Sequence, residues 1–345
     1  MDTIQMDITR MGIIQMDIIR MDTIQMGIIE VSKRVLCYQK DGGLGDFFLA
    51  LPSMLAFQEL HPMSVYCVPD PLFNFFKEIN QLKNIVPLSD VDREISQSDI
   101  YDYTIDFANV MIIGDSEHPY LKRLEFESFN AGIGKHASDH YFEGLIKIEP
   151  ELSKKDFSNF QKMPLFEYEV EEQFYKDRGV EPFNYFTLHA GAGFPLKVWE
   201  KRNFENTIEL LLDKYPDYMC VVIEGPDDPI LSFEERYNSR IVVAKEPLEN
   251  VAKLFSGSLF HIDNDSGVHH LAGVLDIPTI TIFGPTGPGT WKSLTDKNFI
   301  LWGWNNCNKP CDYMSVRSCS DKVCLTSIKP DDVVKLVPKI LELYL

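Results

Sequence analysis

The sequence predicts two parallel α/β domains of Rossmann-like build, and three observations carry that expectation. The chain has 345 residues, enough for two domains that each bury a core. Short apolar runs alternate with helical stretches through most of it, the pattern of parallel sheets covered by helices rather than of an all-β sandwich. Twice, a buried run ends in a glycine-bearing polar turn that opens directly into a helix, once after Val35-Leu36-Cys37-Tyr38 and once after His261. Such a turn aims a helix N-terminus at one edge of the sheet, where anions bind.

Composition bounds the function. With 45% hydrophobic and 25% charged residues, the chain reads as a soluble globular protein. A formal charge of −19 argues against general affinity for nucleic acid or anionic lipid, which both ask for a basic surface. No apolar run of about 18 residues is present, so no membrane-spanning helix is expected. The N-terminus lacks the positive region, apolar core and cleavage site of a signal peptide. Seven cysteines, an odd number without an export signal, fit a reducing cytoplasm. The expected location is cytoplasmic, with peripheral membrane contact left open.

Residues 1–30 repeat with a period of five, from MDTIQ to MGIIE. That period matches neither a helix nor a strand, so no fixed face emerges. The stretch reads as a low-complexity extension outside the fold, and no role is assigned to it. The first domain is expected over residues 31–165. Strand Val35 to Tyr38 leads through Asp41-Gly-Gly-Leu-Gly-Asp46 into a helix from Phe47 to Leu60. The loop is neither GxGxxG nor a P-loop. Further strands are expected at Met63 to Val68, Ile85 to Leu88 and Tyr103 to Phe107, and a later segment runs to Asn130-Ala-Gly-Ile-Gly134. The texture turns charged near Glu149 to Phe174, where the domains are expected to join.

The second domain is expected over residues 180–330. It opens with strand Tyr185 to His189 and the small-residue loop Ala190-Gly-Ala-Gly193, which leads to Lys197-Val-Trp199. A helix from Phe204 to Lys214 capped by Asn203 follows, then strands Met219 to Ile223 and Ile241 to Ala244. A strand Ser258 to Ile262 enters the turn Asp263-Asn-Asp-Ser-Gly267, where Asp265 or Ser266 would cap the next helix by accepting from its free N–H groups. Strand Thr279 to Phe283, a strand near Phe299 to Leu301 and a terminal helix over residues 331–345 complete the order.

Several residues stand out chemically. Asp46 reads either as a helix cap or as a carboxylate exposed at the sheet edge. Asp227, beyond Gly225, is positioned to accept from a ribose hydroxyl, although acids are ordinary in such turns. Asp263-Asn-Asp265 has the form of a DxD metal motif, but its place between a strand and a cap speaks for a metal-free turn. Cys307, Cys311, Cys319 and Cys324 are enough to ligate a tetrahedral structural zinc, and reduced packing cysteines explain them equally well.

Four blocks together carry a resemblance: Gly43-Leu-Gly-Asp46 with Leu51-Pro52; His189-Ala-Gly-Ala-Gly193 with Lys197-Val-Trp199; Asp265-Ser-Gly-Val-His-His270 with Leu271-Ala272; and Phe283-Gly-Pro-Thr286. In this order and spacing, from Val31 to the C-terminus, the chain resembles glycosyltransferase family 9, the lipopolysaccharide heptosyltransferase family. The resemblance implies a GT-B fold, two Rossmann-like domains facing a cleft, with the acceptor bound mainly by the first and the nucleotide sugar by the second. It implies that the terminal helix crosses back to the first domain. It also implies an inverting, metal-independent transfer from a nucleotide sugar, ADP-heptose, to a lipopolysaccharide core or another glycan, with no cofactor required.

By the same resemblance Asp46 would be the base that deprotonates the acceptor hydroxyl. Lys197 and the Ser266–Gly267 backbone would stabilise the leaving diphosphate, with Asp265 near the donor sugar and His270 near the donor phosphates. Taken alone, Lys197 is an ordinary surface lysine, His270 a packed helix histidine and His269 incidental. The charge of −19 is awkward for docking on an anionic membrane and moves weight towards a soluble glycan precursor or protein acceptor. Two other readings stay open: a non-catalytic nucleotide-sugar-binding protein, against which the retained Asp46 argues, and a sugar-nucleotide epimerase of similar architecture, which fits the block order less well.

Overall fold

The computed structural model describes residues 32–40, 42–96, 100–107, 121–123, 135–162, 170–307 and 319–344. The pentad repeat, Asp41, Asn130 to Gly134 and Cys311 lie outside the described residues.

The first sheet consists of β1 (Val35–Tyr38), β2 (Val65–Val68), β3 (Ile85–Pro87), β4 (Tyr103–Asp106) and β5 (Leu121–Arg123). All its pairs are parallel, in the order β3-β2-β1-β4-β5. The second comprises β6 (Tyr185–His189), β7 (Met219–Ile223), β8 (Ile241–Ala244), β9 (His261–Asn264), β10 (Thr279–Phe283) and β11 (Asn298–Trp302). It too is parallel throughout, in the order β11-β10-β9-β6-β7-β8. Central strands are buried on both faces and therefore read as unbroken apolar runs, as in β1 and β2; β6 is as fully buried but carries Thr187 and His189. Two parallel α/β units follow, as the sequence predicted.

The principal helices are α1 (Leu44–Leu60), α2 (Phe73–Ile79), α3 (Ala137–Ile148), α4 (Lys201–Lys214), α5 (Leu248–Ser256), α6 (Gly267–Val274) and α7 (Pro330–Tyr344). Helix α1 is the hub of the first domain. Every residue from Phe47 to Phe57 is buried, because α3 packs on one side of it and α6 of the second domain on another. A helix enclosed in this way is apolar all round.

Four local expectations change. Helix α1 starts at Leu44 rather than Phe47, so Gly45 and Asp46 belong to its first turn; the two glycines disguise the start. Helix α4 starts at Lys201 after Glu200, which places Asn203 inside it, where its carbonyl accepts from Thr207 Oγ1 at 2.7 Å. Strand β9 covers His261–Asn264 instead of Ser258 to Ile262. It therefore carries Asp263 and Asn264 into the sheet, where both are fully buried. Polar residues disfavour strands by propensity, but here their side chains find partners, which overrides it.

The fourth concerns the terminal helix. The resemblance implies a return to the first domain; α7 packs chiefly on α4 and β11 of the second, and its last turn, at Tyr344, lines a cavity with Gln161 and Lys162 of the first. Val333, Val337 and Ile340 form its buried stripe, in one core with Ile208, Leu211 and Leu212 of α4. A three- and four-residue apolar spacing opposite a matching stripe is sufficient cause for that docking.

The two domains meet at helix N-termini. A Cβ on Gly267 would stand 2.9 Å from Leu44 Cβ and 3.3 Å from Gly45 N. A Cβ on Gly45 would stand 2.8 Å from His270 Cδ2 and 3.7 Å from Gly267 Cα. Only glycine permits this approach. A second tie runs from His136, the N-cap of α3, whose Nε2 lies 2.9 Å from the Lys292 carbonyl oxygen. A Gly267→Ala substitution is expected to cost about 1–3 kcal/mol by overpacking, read as a lower unfolding midpoint in chemical denaturation.

Candidate active site between two helix N-termini

On the first-domain side, Asp46 occupies the first turn of α1, partly buried. Its Oδ2 accepts from Gly43 N at 2.8 Å, which closes the glycine loop over the free end of the helix. Burial pushes its carboxyl above the ordinary carboxylate value; the Gly43 N–H and the Lys197 charge oppose that, and Asp265 adds to it. Asp46, Lys197 and Asp265 thus act on one another electrostatically across the domain boundary.

On the second-domain side, Lys197 ends a short turn after the small-residue loop. Its Nζ lies 2.8 Å from Asp265 Oδ2, which also accepts from Thr286 Oγ1. Asn264 sets this loop. Its Oδ1 accepts from Trp199 N at 2.9 Å, and its Nδ2 donates to the Ala190 and Gly191 carbonyls at 3.0 Å each. Trp199 itself is wholly buried, so Lys197 emerges from a backbone pinned on both sides.

Ser266 is the N-cap of α6, and its Oγ accepts from Val268 N at 3.1 Å. Asp265 therefore stands just before the cap, free to bind Lys197. The His269 ring reaches back as a capping box, Nδ1 accepting from Ser266 N at 3.1 Å. This leaves the His269 ring proton on Nε2, which meets no protein partner among the described residues. His269 is structural rather than incidental. His270 is buried beside Gly45; burial first, then His269, His136 and Lys197, hold its ring well below the ordinary imidazole value. It is a neutral ring at the domain contact.

Asp265, His269 and His270 bring ligand atoms within 4.8 Å of one another, but the donor set does not suit a cation. An ammonium already lies against the carboxylate, and the Ser266 N–H takes the His269 lone pair that would leave Nε2 free to ligate. The two acids of Asp263-Asn-Asp265 do not act together either: Asp263 faces His189, at 2.9 Å, and His261, at 3.3 Å. Cys307, Cys319 and Cys324 do not gather into a ligand group among the described residues.

The structure thus brings Asp46, Lys197, Asp265, Ser266, Gly267 and His270 to one place. Asp227 is not among them. It is exposed in the turn after β7, while its neighbour Asp228 turns inward, accepting from Gly225 N at 2.6 Å and facing His189 Nε2 at 3.0 Å. Sequence reasoning missed Asp228, His189, Asp263, Asn264 and Thr286. His189 and Thr286 sit inside blocks quoted for other members, the polar run in β9 was the signal for Asp263 and Asn264, and Asp228 adjoins Asp227 in the turn after β7.

His189 is buried, and burial alone would favour its neutral form. The Asp263 and Asp228 carboxylates win and push it up to about 10, while Asp263, despite its own burial, is brought down to about 2. Because the folded value of His189 lies above its ordinary 6.5, the clamp's contribution to stability is complete below about pH 6.5 and is lost as pH rises towards about 10. The unfolding free energy should decline across that window, and the decline should be shallower in His189→Gln, as denaturant titrations at several pH values would show.

Comparison with known proteins supplies the context. The family model described as "Glycosyltransferase family 9 (heptosyltransferase)" matches residues 141–319, just over half of the chain. "Lipopolysaccharide heptosyltransferase 1" of Escherichia coli (strain K12) is 46% identical over 48 residues. That match covers 14% of this chain and only 15% of the relative's length. A glycosyl transferase family 9 structure from Veillonella parvula DSM 2008 superposes with a TM-score of 0.65 at 16% identity, covering 90% of this chain and 98% of that one. The E. coli ADP-heptose lps heptosyltransferase II gives 0.62 at 15% identity, with the same coverage of 90% and 98%. At such identity the likeness establishes a shared architecture, the GT-B fold.

Proposed function

The chain belongs to glycosyltransferase family 9, the heptosyltransferase family, and on that premise we propose that it is an inverting, metal-independent glycosyltransferase. Its donor in this reading is a nucleotide sugar, ADP-heptose by resemblance, and its acceptor a lipopolysaccharide core or another glycan. The observation that carries the reading is the facing of Asp46, on the first domain, by the Lys197–Asp265 pair and the N-terminus of α6 on the second.

The chemistry is a single displacement. The acceptor hydroxyl loses its proton to Asp46, its oxygen forms a bond to the anomeric carbon, and the bond from that carbon to the diphosphate oxygen breaks. A buried carboxylate with a raised pKa is a stronger base than an exposed one. The negative charge gathering on the leaving diphosphate is met by the Gly267 N–H at the positive end of α6 and by Lys197, the Ser266 N–H being given to His269. These donors are already held in place, by the Ser266 cap and by Asn264, so little reorganisation is needed as charge develops. Asp265 orients the donor sugar, and neutral His270 approaches the phosphates. No cofactor enters this scheme.

Asp46→Asn should leave ADP binding intact and reduce transfer by roughly 10²–10⁴-fold, the usual weight of a general base. Turnover that survives this change would remove Asp46 from the role. Activity should also fall as the medium is acidified through the raised Asp46 value, at a higher pH than an exposed carboxylate would impose. Lys197→Ala should weaken ADP binding in calorimetry while leaving the unfolding midpoint near that of the parent.

A further inference from the structure

Below the cap of α6 runs a buried row of four titratable side chains that the displacement does not use. His261 Nε2 lies 3.3 Å from Asp263 Oδ2, His189 Nδ1 lies 2.9 Å from Asp263 Oδ1, and His189 Nε2 lies 3.0 Å from Asp228 Oδ2. The row joins the cap of α6, in the candidate site, to the turn after β7. Asp263 Oδ2 accepts from Ser266 Oγ at 2.7 Å, and Ser266 caps α6. Asp228 Oδ2 accepts from Gly225 N at 2.6 Å, which closes the turn after β7. Gly191 seals the row from above, since a Cβ there would stand 1.7 Å from Asp228 Oδ1 and 2.9 Å from His189 Nε2.

We propose that His189 is a positioning residue for nucleotide binding, whose ring fixes the cap of α6 to the Gly225–Asp228 turn and, through the close contact of Asp228 with Gly191, steadies the loop that leads to Lys197. The inference rests on the nucleotide-sugar reading above. Geometry dictates the state of the ring: each nitrogen faces a carboxylate, and only a doubly protonated imidazole donates to both at once. The titratable groups around it are Asp263, Asp228 and His261; the last, held neutral by burial, meets Thr187 Oγ1 through Nδ1 at 3.0 Å. The elevated value described for His189 agrees with that state. Without the ring, two acids would face each other in a dry site, and the cap and the turn would be free to move apart.

The test uses the full chain with ADP as the probe. His189→Gln should weaken ADP binding by about tenfold, because a buried ion pair loses its cation. In His189→Gln/Asp228→Asn the formal charge of the row returns to that of the parent. The unfolding midpoint should then recover while ADP affinity stays low, since the tie between cap and turn is still cut. Nitrogen-15 shifts of the parent should report both His189 nitrogens protonated at neutral pH. Equal ADP affinity in His189→Gln, full recovery of affinity in the double variant, or a neutral-ring spectrum would each overturn the proposal. A parent protein that binds no ADP would overturn the nucleotide reading itself, whatever the His189 spectrum shows.

Discussion

The approach of Gly45 to Gly267 is the constraint on which the rest depends. Two helices from different domains point their positive ends at the same small volume, and at 3.7 Å between a virtual Gly45 Cβ and Gly267 Cα no side chain separates them. Like-signed helix ends would normally avoid each other. Each is answered locally instead: Asp46 folds back on the Gly43 amide, and Ser266 with His269 satisfies the opening of α6. The remaining unmet positive potential faces the cleft, where in the proposed reading an anionic leaving group would gain from both ends. Asp265 and Lys197 sit beside this point as a nearly neutral pair, so the field there is governed by backbone geometry more than by net charge. On the proposed reading, this is how a chain with a formal charge of −19 would offer a site for a diphosphate.

Much of this was legible in the sequence, and the reason is physical. Buried parallel strands are rich in apolar and β-branched residues, so β1, β6, β7 and β10 could be read to the residue, as could the apolar edge strand β8. Glycine loops mark where backbone must approach something closely, and both of the loops that meet at the cleft were visible as such. What failed were places where tertiary partners overrule local preference. Asp263 and Asn264 looked like a turn because isolated acids and amides favour turns; in the sheet each is satisfied by groups some seventy residues away, His189 for one and the Ala190 and Gly191 carbonyls for the other. No local pattern can announce such a partner.

The same logic explains Asp227. The turn after β7 contains adjacent acids, and sequence alone cannot say which of two neighbours points inward. Backbone direction decides it: Asp228 is the one aimed at Gly225 N and His189, leaving Asp227 in solvent. The terminal helix is a related case. The helix itself was expected, but its bounds name no partner, and its Val333–Val337–Ile340 stripe lies chiefly against α4 and β11.

The buried row through His189 also orders events in time. Its members come from β6, the turn after β7 and β9, separated by 39 and 74 positions along the chain. Contacts of that span are slow to form, because the intervening chain must be gathered before they return any energy. The row cannot close until three strands have found register, and the cap of α6 is tied only when it does. In the proposed reading, ligand competence arrives as a late folding event, and a nucleotide in solution would act on this chain as a reporter of completed assembly.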